Sequence, residues 1–232
     1  MDFSEVIRLR RSCRKYTNEK VPPSVIETAL KDAIVAPNSS NMQLMKFYWI
    51  QSPDKQKQLA EACLNQSAAR TAQELVVVVA NWSHWKENRR RIIDEFVKSQ
   101  NSPALDTYYG KIVPLAYTYG FLNIIGILKW ILFTLIGFAR PMMRGPNTRN
   151  DVAMVTVKSA ALACENFMLS IYNQGFACCP MEGFDEVRVK NIVSESWCSS
   201  KVVMVISIGK ADASGIQGPQ FRLPYSHFVT KL

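Results

Sequence analysis

The sequence predicts an α+β domain, and three observations carry that reading. Strand-like and helix-like stretches are mixed without the strict β-α-β order of a parallel sheet. A run of four valines within Leu75–Ala80 suits a strand covered on both faces. Apolar residues make up 48% of 232 residues, enough to bury one large core, and no repeat or long linker divides residues 1–232.

The elements follow in order. Residues 2–9 read as a helix, with Phe3, Val6, Ile7 and Leu9 apolar and Asp2 at its start. Pro22-Pro23-Ser24 opens a second helix, in which Val25, Ile26, Ala29, Leu30, Ala33 and Ile34 recur at helical spacing. Residues 36–41 (APNSSN) stop it with a proline and short polar side chains. Phe47–Ile50 reads as a strand, Lys55–Cys63 as a helix and Leu75–Ala80 as the central strand. Residues 84–110 are polar and helical in part. Asn150 or Asp151 is expected to cap a long helix through Tyr172, ended by Gly175. Ala153, Ser159, Ala160, Ala163 and Cys164 give that helix a small-residue side that allows close packing in a core or across a dimer. Val187–Ser194 is a short helix, Val202–Ile208 a strand closing on Gly209, and the tail from Ala211 is irregular.

Composition narrows the function classes. The net charge of +9 suits a phosphate-bearing ligand, an anionic membrane surface or nucleic acid. No nucleic-acid-binding signature is present, and the cations are scattered apart from Arg89-Arg90-Arg91, so nucleic acid is not expected. Six cysteines without CxxC spacing and only two histidines argue against a metal site. A charged, amphipathic start does not read as a cleavable signal. The expectation is therefore a cytoplasmic protein with free thiols.

Four clusters could carry chemistry. Arg10, Arg11, Ser12 and Arg14 fall within five residues, and guanidiniums pair with phosphate oxygens in a fork. The plainer reading is a cationic helix end that complements the macrodipole. Residues 37–43 (PNSSNMQ) offer short polar groups for the edge of a ring, or simply a capped turn. In residues 175–185 (GFACCPMEGFD), Gly183 would let backbone amides approach a flat ligand. Cys178 and Cys179 there could be redox groups, but read better as buried small hydrophobes. Arg222 is a lone late cation before Leu223-Pro224.

Taken together, RRSxR, then APxSxNxQ, then PMEGFD, a strand ending in glycine and a late RLP closely resemble the nitroreductase family. The likeness spans nearly the whole chain except about 84–149. It implies an α+β fold with a central mixed or antiparallel sheet surrounded by helices, in an intertwined homodimer whose core is the long small-residue helix. It implies FMN at the subunit interface. Arg10, Arg11, Ser12 and Arg14 would bind the phosphate and the pyrimidine side, with Arg222 joining at the phosphate. Asn38, Ser39, Asn41 and Gln43 belong to the motif expected from the other subunit. Asn65 would reach the isoalloxazine edge, and Met181, Glu182 and Gly183 would line the ring, with a backbone amide near N5. Chemistry at flavin N5 leaves no catalytic side chain to assign. The implied activity is ping-pong transfer from NADH or NADPH to a small electron-poor acceptor such as a nitroaromatic or quinone. Ala68 and Gln220 stand where some relatives carry lysine, and Leu44-Met45 replace the usual aromatic, so the potential and the pocket are expected to depart from the family norm. A flavin-binding module without catalysis, or a membrane-associated interaction protein, are the alternatives.

The third possibility rests on an apolar insert at about 112–140. Thirteen strongly apolar residues lie between Phe121 and Phe138, with Lys129 the lone charge. At roughly −0.3 to −0.6 kcal/mol each against about +2.5 to +3.5 for lysine, insertion is energetically open. Topology opposes spanning, because one crossing would part Arg10–Arg14 from Arg222. The insert is thus either a lid over the active site or a peripheral membrane contact.

Overall fold

The computed structural model describes residues 2–232. In chain order its helices and strands are α1 Phe3–Leu9, α2 Pro23–Ile34, β1 Met45–Trp49, α3 Pro53–Ala62, α4 Ser67–Thr71, β2 Glu74–Asn81, α5 Trp85–Ile92, α6 Lys98–Gln100, α7 Pro103–Thr107, α8 Val113–Tyr117, α9 Ile124–Ala139, α10 Arg149–Asn173, β3 Ala177–Met181, α11 Glu186–Val193, β4 Ser200–Gly209 and α12 Tyr225–Phe228. Short 3-10 and π turns link several of them.

The four strands form one sheet in the order β1-β2-β4-β3, and every pair is antiparallel. The valine run lies at its centre. Alternation along a strand sends Val76, Val78 and Ala80 to one face, against α2 and α10. Leu75, Val77 and Val79 face the other way, against α3 and α11. Covering both faces explains why β2 reads as continuously apolar although its neighbours run antiparallel. Register shifts between Val78 and Val79, where a bulge adjusts β2 against β4.

Helix α10 is the main support of the sheet. Thr148 caps it, accepting from the Asp151 amide, while the Asp151 carboxylate accepts from Thr148 N. This capping box corrects the expected cap: Asp151 is its third-residue partner, and Asn150 lies inside the first turn. Val152, Thr156, Ala160, Ala163, Phe167 and Ile171 form the buried seam. Ala160, Ala163 and Cys164 thus already serve contact within the chain, where their small size admits α2 and the sheet. Phe167 is fully buried and stacks on Phe47 at 6.3 Å between ring centres.

Strand β3 lies within the segment read only as a motif loop. It pairs with β4 from Ala177 opposite Gly209 to Met181 opposite Val205. Its other edge meets the N-terminal arginine segment through a parallel bridge, Ser12 to Cys178, with Cys13 N donating to Cys178 O at 3.1 Å. That edge positions the site described next.

Candidate functional site

Helix α1 ends at Leu9, so Arg10 to Arg14 leave it as extended chain between β3 and the tail. Arg14 N donates to Gly215 O at 2.7 Å, Asp212 N to Lys15 O at 3.1 Å and Thr17 N to Lys210 O at 2.9 Å. Arg11 Nη2 adds bonds to the carbonyls of Gln217 and Gly218, both at 3.1 Å. The contact is so close at Gly215 that a Cβ there would lie 2.4 Å from Lys15 O and 2.6 Å from Cys13 Sγ.

The opposite wall comes from the 181–185 loop and the α3–α4 connection. Gln66 Nε2 donates to Gly183 O at 2.6 Å and to Cys63 O at 3.1 Å, and Asp185 N donates to Ala62 O at 2.8 Å. Gly183 matters here through its carbonyl: its φ is not among the positive ones. Asp185 then caps α11, accepting from Val187 and Arg188 amides.

Between these walls lies a cleft of about 430 Å³, within the size range of small-molecule sites. Ser12, Arg14, Met181 and Glu182, all anticipated, line it. So do Lys15, Gln66, Ser67, Cys179, Ser214 and Gln217, which were not. Lys15 Nζ is steered by Ser214 Oγ at 3.2 Å and Asp212 at 3.6 Å. Ala68, Pro180 and Met181 contribute apolar surface, so the cleft combines two cations, one carboxylate, hydroxyl and amide groups, and an apolar strip. This donor set fits a ligand with an anionic group and a flat, hydrogen-bonding ring.

The two adjacent cysteines point to opposite sides of β3. Cys178 belongs to the core under α10, Cys179 to the core facing the cleft. Burial pushes the Cys178 thiol up to about 12, the nearby Arg10 charge only partly opposing it. Burial also raises Cys179, against the pull of Arg14 and a hydrogen bond from Ser12. Both remain protonated at neutral pH and are poor nucleophiles.

Other anticipated residues lie elsewhere in this single chain. Arg10 turns toward α10, 3.9 Å from Glu165, and its buried Nη1 has no hydrogen-bond partner. Asn65 is exposed in the left-handed region, and its neighbours Gln66 and Ser67 face the cleft instead. Arg222 sits on the exposed tail, its Nη1 donating to Phe221 O. Asn38 is spent locally: its Oδ1 accepts from Gln43 N at 2.8 Å. Ser39 N donates to Ser159 Oγ on α10. Asn41 and Gln43 line a second cleft, of about 490 Å³, with Asn88, Arg91 and Phe96.

An antiparallel sheet backed by a long helix, with an arginine segment laid along its edge strand beside a polar cleft, defines an α+β protein whose cleft donors suit an anionic, ring-bearing ligand. A profile of the nitroreductase family matches residues 7–210, and the chain belongs to that family. It is 24% identical over 234 residues to MhqN of Bacillus subtilis (strain 168), provisionally named an NAD(P)H nitroreductase, covering 98% of each protein. It is 26% identical over 195 residues to protein DrgA of Synechocystis, covering 83% of this chain and 77% of that one. Among solved structures, the fold matches an FMN complex of a provisionally named nitroreductase from Exiguobacterium sibiricum 255-15 (TM-score 0.73, 23% identity, covering 100% and 98% of the chains). It also matches the enone reductase CLA-ER of gut-bacterial fatty acid saturation (TM-score 0.74, 18% identity, 100% and 98%).

Proposed function

We propose that this protein is an FMN-dependent oxidoreductase that passes reducing equivalents from NADH or NADPH to a small electron-poor acceptor, such as a nitroaromatic or a quinone, in a ping-pong cycle. The observation that carries this reading is the meeting of Ser12, Arg14, Met181 and Glu182 in one cleft, from segments more than 160 residues apart. Bound FMN would supply the redox chemistry, carrying reducing equivalents from the nicotinamide to the acceptor.

The chain's own residues bind, orient and shield. Arg14 and Lys15 would neutralise the phosphate and favour negative charge gathering in the cleft. Arg10, with an unpaired guanidinium nitrogen, and Arg222 are further cations for the phosphate. Ser12, Ser67 and Gln66 offer hydrogen bonds to ring heteroatoms. Met181 and Ala68 keep water from one face, and the Glu182-Gly183 backbone would approach the ring. Asn41 and Gln43 bound a separate cleft, with Asn38 and Ser39 in the same loop, which supports delivery of this loop to the ring from a second copy in a homodimer. Six free thiols, five of them buried, support work in a reducing compartment.

Purified protein should be yellow and should bleach on anaerobic titration with one or both nicotinamides, then recover its colour with an acceptor. Colourless protein that refuses added FMN in calorimetry would refute the proposal. Flavin-loaded protein inert toward every nicotinamide and acceptor would mark a flavin-binding module without turnover.

A further inference from the structure

The apolar insert folds into α9, and its faces are sorted in an unusual way. Gly126, Lys129 and Phe133 are buried toward the body, at spacings of three and four. The contact at Gly126 leaves no room for a side chain, since a Cβ would sit 2.2 Å from Asn147 O. Lys129, the lone charge, also points inward, its Nζ donating to Leu115 O at 2.8 Å and Pro146 O at 3.3 Å. Farther along, Arg144 Nη2 donates to Gly137 O at 3.2 Å. Helix α9 is therefore tied to residues 115 and 144–147 at Gly126, Lys129 and Gly137.

Its outer face is almost purely apolar. Ile127, Leu128, Ile131 and Leu135 are exposed, and Phe121 and Phe138 at either end are each 82% exposed. Only 17% of Phe121–Ala139 is buried, against 39% of the other comparably apolar helix, α10, which supports the sheet. Contiguous apolar surface of this kind marks a contact site. The charges between Asp106 and Asp151 are of one sign. Residues 107–150 contain no aspartate or glutamate but five cations, Lys111, Lys129, Arg140, Arg144 and Arg149. With Lys129 turned inward, the other four are exposed. Arg140 follows the C-terminal end of α9. Arg149 is held at its N-terminal end through the bond from its backbone N to Asn123 Oδ1, with its guanidinium 5.9 Å from the Trp82 ring. Lys111 lies one turn before Leu115, the acceptor of Lys129.

From this juxtaposition of an uncharged apolar face with predominantly cationic flanks, we infer that α9 docks this protein on the surface of an anionic lipid bilayer. The helix lies in the interface plane with its outer side chains among acyl chains and its flanking cations at the headgroups. A second copy of this chain suits the face less well, because two such flanks would repel. This inference does not depend on the flavin reading.

The test is vesicle flotation of the FMN-supplemented protein. Vesicles are phosphatidylcholine alone, or equal parts phosphatidylcholine and phosphatidylglycerol. The protein should float with the mixed vesicles, less with the neutral ones, and detach as salt is raised. Replacing Ile127, Leu128 and Leu135 together by glutamine should weaken partition about a hundredfold or more with little change in melting temperature, since each side chain is more than half exposed. Lys111→Gln with Arg140→Gln should weaken binding to anionic vesicles about twenty-five-fold, at roughly fivefold per cation, and leave neutral vesicles unaffected. Absence of flotation with both vesicle types would overturn the inference. So would light scattering in which the wild-type mass falls when the outer face is made polar, because the face would then join copies of the chain.

Discussion

Replacing Gly215 with alanine tests how the cleft is held together. The glycine is buried, and a Cβ would stand 2.4 Å from Lys15 O and 2.6 Å from Cys13 Sγ. Ordinary contact begins at 3.4 Å, so the two segments must part by about 3.4 − 2.4 = 1.0 Å. That would lengthen the 2.7 Å bond from Arg14 N to Gly215 O to roughly 3.7 Å, beyond hydrogen-bonding range. Overpacking costs about 1–3 kcal/mol and the lost bond about 1 kcal/mol, together roughly 2–4 kcal/mol. For a chain of this size the melting temperature should fall by roughly 4–16 °C. Arg14 and Lys15 move with the segment, so FMN affinity should drop by at least about tenfold. Differential scanning calorimetry and quenching of FMN fluorescence read the two effects. Gly110→Ala is the control, because nothing lies within 4 Å of its Cβ, and it should melt at or slightly above the wild-type temperature. Equal stability and equal FMN affinity of Gly215→Ala and Gly110→Ala would show that the N-terminal segment is not clamped as described.

Other perturbations reach separate parts of the molecule. Phe167→Ala should lose about 3–5 kcal/mol in urea denaturation, because the ring is fully buried between α10 and the sheet. Arg14→Ala should weaken FMN binding by about tenfold or more in calorimetry, with little change in stability. In the native protein a thiol reagent should titrate Cys198 alone at neutral pH, the other five cysteines reacting only after unfolding. Burial pushes the Glu195 carboxyl up, but hydrogen bonds from Tyr48 and Asn81 and the charge of Lys46 outweigh it and hold the group below the ordinary carboxylate range. A lowered folded-state value means stability that is complete above the unfolded value, about 4.3, and lost as pH falls through the folded one. Acid melting curves should therefore show a loss below about pH 4.3 that flattens in Glu195→Gln.

Much of the scaffold was legible because local patterns and tertiary burial agree. Every apolar position expected in 23–34 falls on α2, and Val25, Ile26, Ala29 and Ala33 are buried there. The valine run is the central strand because only a doubly covered strand can hide that many consecutive apolar side chains. Strand β3 was not legible: Pro180 and the paired cysteines mask a strand whose partners are supplied by β4 and Ser12, both distant in sequence. The cap of α10 was misplaced by two or three residues because Thr148 and Asp151 share the task. In the cleft, Ser12, Arg14, Met181 and Glu182 were found, whereas Lys15, Ser214, Gln217 and Gln66 were not. Their segment or side chain is set by backbone bonds, at Gly215, Asp212 and Gly183, that leave no compositional trace. The insert's apolar character was plain from composition, but the inward turn of Lys129 was not, since it depends on carbonyls at Leu115 and Pro146.

The closure of the cleft by residues 12–15 and 214–217 has a bearing on biosynthesis. A polypeptide is made in chain order, and here residues 12–15 wait for residues 214–217, about 200 positions later. While translation continues, the nascent chain can assemble its sheet only as far as it has emerged, and the arginine segment stays without its clamp. The arginine segment thus gains this clamp only once residues 214–217 have emerged, and a product that stops short of them lacks one wall of the cleft.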